Sequence, residues 1–115
     1  MMDKLKNDQR PIGIFDSGLG GLTVLKHLIK YFPNEKFIYL GDLANLPYGN
    51  KSRQNIIKYS FECANFLKSK NVKCIIIACN TASSYAYLEL KKSIDIPVYD
   101  VISPCIDKII LLKNK

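Results

Sequence analysis

The sequence predicts an α/β fold, a single parallel sheet of four strands covered by helices on both faces. Four short runs rich in β-branched and aromatic residues each stop at a glycine, an acid or a small polar residue. Between them, apolar side chains recur at helical spacing instead of alternating. Strand and helix units that alternate this strictly and this briefly imply right-handed crossovers between parallel strands. At 115 residues and 48% hydrophobic content, the chain suffices for one domain with a real core but not for two domains.

Residues 1 to 10 read as a flexible charged tail, and residues 11 to 115 as one domain. Pro11 to Asp16 is an apolar run feeding the glycine turn Ser17-Gly18-Leu19-Gly20-Gly21, the pattern of a buried strand. Leu22, Leu25, Leu28, Ile29 and Phe32 then share a helical face, with Lys26 and Lys30 opposite, until Pro33-Asn34 stops the helix. Lys36 to Leu40 is the second strand, closed by Gly41-Asp42. The loop Leu43 to Asn50 is longer than a simple connection requires, and such loops at strand ends usually carry function. Ser52 is placed to cap a long helix whose inner face holds Ile56, Ser60, Cys63 and Leu67. Val72 to Ala78 forms the third strand, and Ala82, Ala86 and Leu90 mark a third helix that ends before Ile96-Pro97. Pro97 to Ile102 is the fourth strand, and Pro104 to Leu112 begins a fourth helix. The expected strand order is 2-1-3-4, a flavodoxin-like three-layer arrangement.

Net charge is +7, with lysines at both ends and scattered over the helices. No dense basic stripe with interleaved aromatics is present, so a nucleic-acid partner is not expected, and the positive field is suited to small anionic substrates. Cys63, Cys74, Cys79 and Cys105 form no C-x-x-C pair and have no histidine at zinc-finger spacing, so no metal is expected. The N-terminal residues lack an apolar signal region and no run is long enough to span a membrane; the expectation is a cytoplasmic protein with reduced thiols and no membrane partner.

In this fold the strand ends bring Asp16-Ser17-Gly18, Gly41-Asp42, Pro47-Tyr48-Gly49, Cys79-Asn80-Thr81 and Ile102-Ser103-Pro104 to one rim, where open α/β sheets bind ligands. Cys79 ends the run Ile75-Ile76-Ile77-Ala78 and precedes a helix, whose positive end favours thiolate over thiol. Cys79 as one more buried hydrophobe is the competing reading, against which Asn80, Thr81 and Ser83 supply more polar handles than one cap needs. Asp16 ends the neighbouring strand and is either a partner of the thiol or a cap. Tyr48 is either a hydrophobic plug or a substrate contact. His27 lies mid-helix, which disfavours a Cys–His hydrolase. Thr23 stands where a dinucleotide fingerprint needs its last glycine, and a Walker-type lysine is absent; the glycines are better suited to a small carboxylate at a helix start.

The segments Ile14-Phe15-Asp16-Ser17-Gly18-Leu19-Gly20-Gly21, Tyr39-Leu40-Gly41-Asp42, Leu46-Pro47-Tyr48-Gly49 and Ala78-Cys79-Asn80-Thr81-Ala82-Ser83 occur in one order over most of residues 11 to 104. In them the chain resembles the aspartate/glutamate racemase superfamily, and its glutamate racemase family in particular. The resemblance implies a cofactor-independent interconversion of L- and D-glutamate, the D form serving peptidoglycan synthesis, by two cysteines on opposite sides of the α-carbon. It assigns Cys79 as the thiol that acts on D-glutamate and Asp16 as the acid beside it. Ser17, Pro47, Tyr48, Gly49, Asn80 and Thr81 match positions that hold the substrate's carboxylates and ammonium. No cofactor or metal is implied.

The family has two similar α/β domains, the second carrying the other cysteine in a Cys-Thr-His segment. This chain ends at Lys115 without that segment, and Cys105, following Pro104, is no replacement; the Ser103 position is also commonly acidic in the family. The expectation is therefore the first of two domains, truncated relative to the family and incomplete for turnover alone, which works as a homodimer or with the missing second domain. The alternatives are a binding or assembly module, or a racemase for aspartate or another amino acid.

Overall fold

Four apolar runs that cannot satisfy their backbone polar groups alone must pair with one another, and they do so in parallel. In the computed structural model, which describes residues 7–17, 21–42 and 51–100, the strands are β1 (Ile12–Asp16), β2 (Phe37–Gly41), β3 (Cys74–Ile77) and β4 (Val98–Asp100). The helices between them are α1 (Leu22–Tyr31), α2 (Arg53–Ser69) and α3 (Asn80–Ser93). The sheet order is β2-β1-β3-β4, as the alternation implied. In register, Ile14 lies between Tyr39 and Ile76, and Ile77 between Phe15 and Asp100. The fourth helix, the end of the fourth strand and the loop bearing Pro47, Tyr48 and Gly49 fall outside the described residues.

The third strand is shorter than the run Val72 to Ala78, yet pairing extends a residue past each end: Lys73 N–H donates to the Pro11 carbonyl and Ala78 N–H to that of Phe15. Period-two alternation then divides the sheet between two cores. Ile12, Ile14, Cys74 and Ile76 pack with Leu28 and Phe32 on the α1 side. Phe15, Ile75, Ile77 and Val98 pack on the other side against Ile56, Ala64 and Leu67 of α2 and Ala82, Ala86 and Leu90 of α3. Each such fully buried large aliphatic contributes about 1.5–3 kcal/mol. Ser52 caps α2, its hydroxyl accepting from Asn55 N–H at 3.2 Å. Among the described residues, no helix is long and apolar enough to cross a membrane.

At the N-terminal edge of the sheet, part of the segment expected to be a flexible tail is held. Asp8 and Arg10 form a forked ion pair at 2.7–3.0 Å. Lys73, only 1% exposed, donates to Glu35 Oε2 at 2.7 Å and to the Asp8 carbonyl at 2.8 Å. A buried ammonium is tolerated because both contacts are made with oxygen, one of them a carboxylate. The opposite, C-terminal edge is left to carry chemistry.

Candidate active site

β1 delivers Asp16 to the rim on the α1 face of the sheet, where it is 4% exposed. Its position is fixed from three sides. Oδ1 accepts from Ser17 N–H at 2.8 Å, while Oδ2 accepts from Gly21 N–H at the start of α1 and from the Tyr39 hydroxyl at 3.2 Å. A carboxylate receiving the first amide of a helix is in the setting that the helix dipole favours. The cap reading of Asp16 is therefore realised in the geometry. Tyr39 is kept a donor: burial first, and then the Asp16 charge and hydrogen bond, push its phenol up to about 12.

The adjacent strand, β3, delivers Cys79 as the N-cap of α3. The sulfur occupies the place of a capping oxygen and accepts from Ala82 N–H at 3.4 Å. It also donates to Ser17 Oγ at 3.3 Å. Cys79 is 7% exposed and belongs to the α2–α3 core, but its sulfur faces a helix amide and a hydroxyl, which distinguishes it from a thiol that only fills space. Cys74 is the contrast. It lies inside the α1-side core, and burial pushes its thiol up to about 12, leaving it inert near neutral pH. Cys63 is buried on α2.

The rim thus brings together Asp16, Ser17, Cys79, Asn80 and Thr81, and the order of contact is specific. Among the described residues no hydrogen bond joins Asp16 to Cys79 directly; the acid holds the Ser17 backbone, and the Ser17 hydroxyl meets the sulfur. Asn80 and Thr81 open α3 and line a cleft of about 320 Å³ together with Lys51, Ser84 and Tyr85. Pro47, Tyr48 and Gly49 lie outside the described residues. Tyr39, which stands in one of the family segments but carries no site role in the sequence reading, and Lys51 are further members of this neighbourhood. For Tyr39 a signal existed: it pairs with Ile14, two residues before the Gly41–Asp16 pair, so alternation places it on the face of Asp16.

No protein-family model matches the chain. Curated relatives do: the glutamate racemase of Aquifex aeolicus is 56% identical over 93 residues, covering 81% of this chain. The chain belongs to the glutamate racemase family. It spans about 37% of the length of the curated relatives it matches. Solved glutamate racemases share the fold as well. The Thermus thermophilus enzyme, in complex with β-chloro-D-alanine, superposes with a TM-score of 0.81 at 48% identity over 84% of this chain and 38% of its own. The Francisella tularensis enzyme, in complex with D-glutamate, does so with a TM-score of 0.78 at 53% identity, over 82% of this chain and 36% of its own.

Proposed function

We propose that this chain forms one half of a glutamate racemase site, in which Cys79 is one of two acid/base thiols that interconvert L- and D-glutamate without a cofactor. The observation that carries the reading is the setting of the Cys79 sulfur, between a helix N-terminal amide and the Ser17 hydroxyl, at the rim where α/β sheets bind small molecules.

In this reading the Cys79 thiolate removes the α-proton of D-glutamate, and the electron pair left on carbon is delocalised into the α-carboxylate. A second thiol on the opposite face, from another α/β unit, returns a proton and inverts the centre. As thiolate the sulfur accepts from both Ala82 N–H and the Ser17 hydroxyl; once protonated it donates to Ser17 Oγ, the arrangement in the structure. Ser17 serves both states because a hydroxyl both donates and accepts. Asp16 acts through Ser17, fixing the backbone from which that hydroxyl projects. Asn80, Thr81 and the Pro47-Tyr48-Gly49 segment hold the carboxylates and ammonium of the substrate. The D-glutamate so made would serve peptidoglycan synthesis in the cytoplasm, and the second unit comes from a homodimer partner or a second domain.

Titration of the 115-residue chain with D-glutamate tests this. The amides of Ser17, Asn80 and Thr81 are expected to shift in ¹H–¹⁵N spectra, while circular dichroism shows negligible inversion of D-glutamate. Robust racemisation abolished by Cys79→Ser would overturn the need for a second unit. The absence of shifts at those amides would overturn the site.

A further inference from the structure

We infer that Tyr39 is a positioning residue for the Cys79 thiol, acting through Asp16 and Ser17, an inference that rests on the racemase reading above and extends it to the neighbouring strand. Three donors hold the Asp16 carboxylate, and they differ in origin. Ser17 N–H is the next amide along the chain, and Gly21 N–H lies five residues on. The Tyr39 hydroxyl, 3.2 Å from Oδ2, comes instead from β2. Sheet register puts it there: Tyr39 pairs with Ile14 and Asp16 with Gly41, which makes the two side chains diagonal neighbours on one face. The ring packs against the α1-side core, and its hydroxyl ends at the carboxylate. Burial, followed by the Asp16 charge, raises the phenol to about 12, so near neutral pH it keeps its proton to donate.

What this donor protects is the Ser17 hydroxyl. That group stands 3.3 Å from the Cys79 sulfur and one residue along the chain from the Asp16 carboxylate, and a hydroxyl has a single proton to give. Given to a Cys79 thiolate, the proton stabilises the charge that takes the α-proton. Given to Asp16, it leaves the thiolate with the Ala82 N–H as its donor among the described residues. Tyr39 and Gly21 on Oδ2, with Ser17 N–H on Oδ1, supply donors to both carboxylate oxygens, and the hydroxyl is left to the sulfur. Without the Tyr39 hydroxyl, Oδ2 loses a donor and Asp16 competes with the thiolate for Ser17.

The test is the rate at which iodoacetamide alkylates Cys79 near neutral pH in the 115-residue chain, read by mass spectrometry of the peptide that carries it. Tyr39→Phe keeps the ring and is expected to slow alkylation about fivefold, and Ser17→Ala about tenfold, as the thiolate loses a hydrogen bond to its charge. In the Ser17→Ala background, Tyr39→Phe is expected to add less than about 1.5-fold, because the contested hydroxyl is gone. A role confined to packing would not produce that dependence. Tyr31→Phe, which removes a hydroxyl from a ring on the same core, is expected to leave the rate within about 1.5-fold. Far-ultraviolet circular dichroism checks the fold of each variant. An unchanged or faster rate in Tyr39→Phe, the same loss with and without the Ser17 hydroxyl, or loss of the fold would overturn the assignment. Alkylation needs no substrate, so these outcomes leave the racemase reading standing; that reading fails instead on the D-glutamate titration above.

Discussion

Replacing Gly21 by alanine is expected to destabilise the domain, although the local backbone alone argues for the reverse. Gly21 has φ −77° and ψ −1°, a conformation any residue adopts, and in such a place a Gly→Ala change ordinarily gains about 0.4–1 kcal/mol by restricting the unfolded chain. The surroundings decide otherwise. A Cβ at Gly21 would lie 2.6 Å from Ala78 Cβ and 3.1 Å from Asp16 Oδ2. Ordinary contact begins near 3.4 Å, so α1 and the end of β3 must separate by about 0.8 Å, and neither Cβ has a rotamer to yield. Overpacking of this kind costs about 1–3 kcal/mol. The same movement stretches the Gly21 N–H bond to Asp16, and a hydrogen bond to a charged group is worth about 1.5–3 kcal/mol. Partial loss of that bond, plus the clash, minus the entropic gain, leaves a net cost of about 2–3 kcal/mol. Urea unfolding followed at 222 nm would show it as a lower midpoint, and thermal unfolding as a fall of about 10–15 °C for a domain of this size. A Gly21→Ala chain as stable as the parent, or more stable, would refute the close packing of α1 on Asp16 and Ala78.

Two further predictions concern charge. The Tyr39 phenol is raised to about 12 from 10.0, so its stabilisation is fully present below pH 10 and is lost as pH rises through 12. With the partial exposure of the ring taken into account, stability should fall by about 1 kcal/mol across that window, and a Tyr39→Phe chain should lack that component; equal pH profiles for the two would count against the Tyr39–Asp16 contact. Glu35→Ala removes the carboxylate that faces the buried Lys73 ammonium and should cost about 2–4 kcal/mol in urea unfolding, whereas Lys73→Met should stay within about 1 kcal/mol. A Glu35→Ala cost below about 1 kcal/mol would contradict the burial of Lys73.

What the sequence disclosed follows from the range of the interactions involved. The strand order and the rim position of Cys79 depend on local signals, a β-branched run that stops at small polar residues before a helical period, and these were legible. So was Ser52 as a cap, because capping involves only the next three residues. The link from Asp16 to Cys79 through Ser17 was not legible, since adjacency of two strand ends leaves open whether side chains meet directly. Nor was the hold on Asp16. It depends on Tyr39, 23 residues away, and on how closely Gly21 approaches. Lys73 is the sharpest case: beside a valine it reads as one more lysine of a basic chain, and only the meeting of the segments that carry Asp8 and Glu35 at the sheet edge buries it.

The most direct test of Cys79 as an acid/base thiol is exchange of the α-proton, which needs one base where inversion needs two. D-glutamate incubated with the 115-residue chain in D₂O is followed by the α-proton signal in ¹H spectra, alongside the Cys79→Ser chain. The account predicts slow loss of that signal with the D configuration retained, and no loss with Cys79→Ser. Exchange at the same rate in both chains, or none in the parent while D-glutamate occupies the Asn80–Thr81 rim, would contradict it.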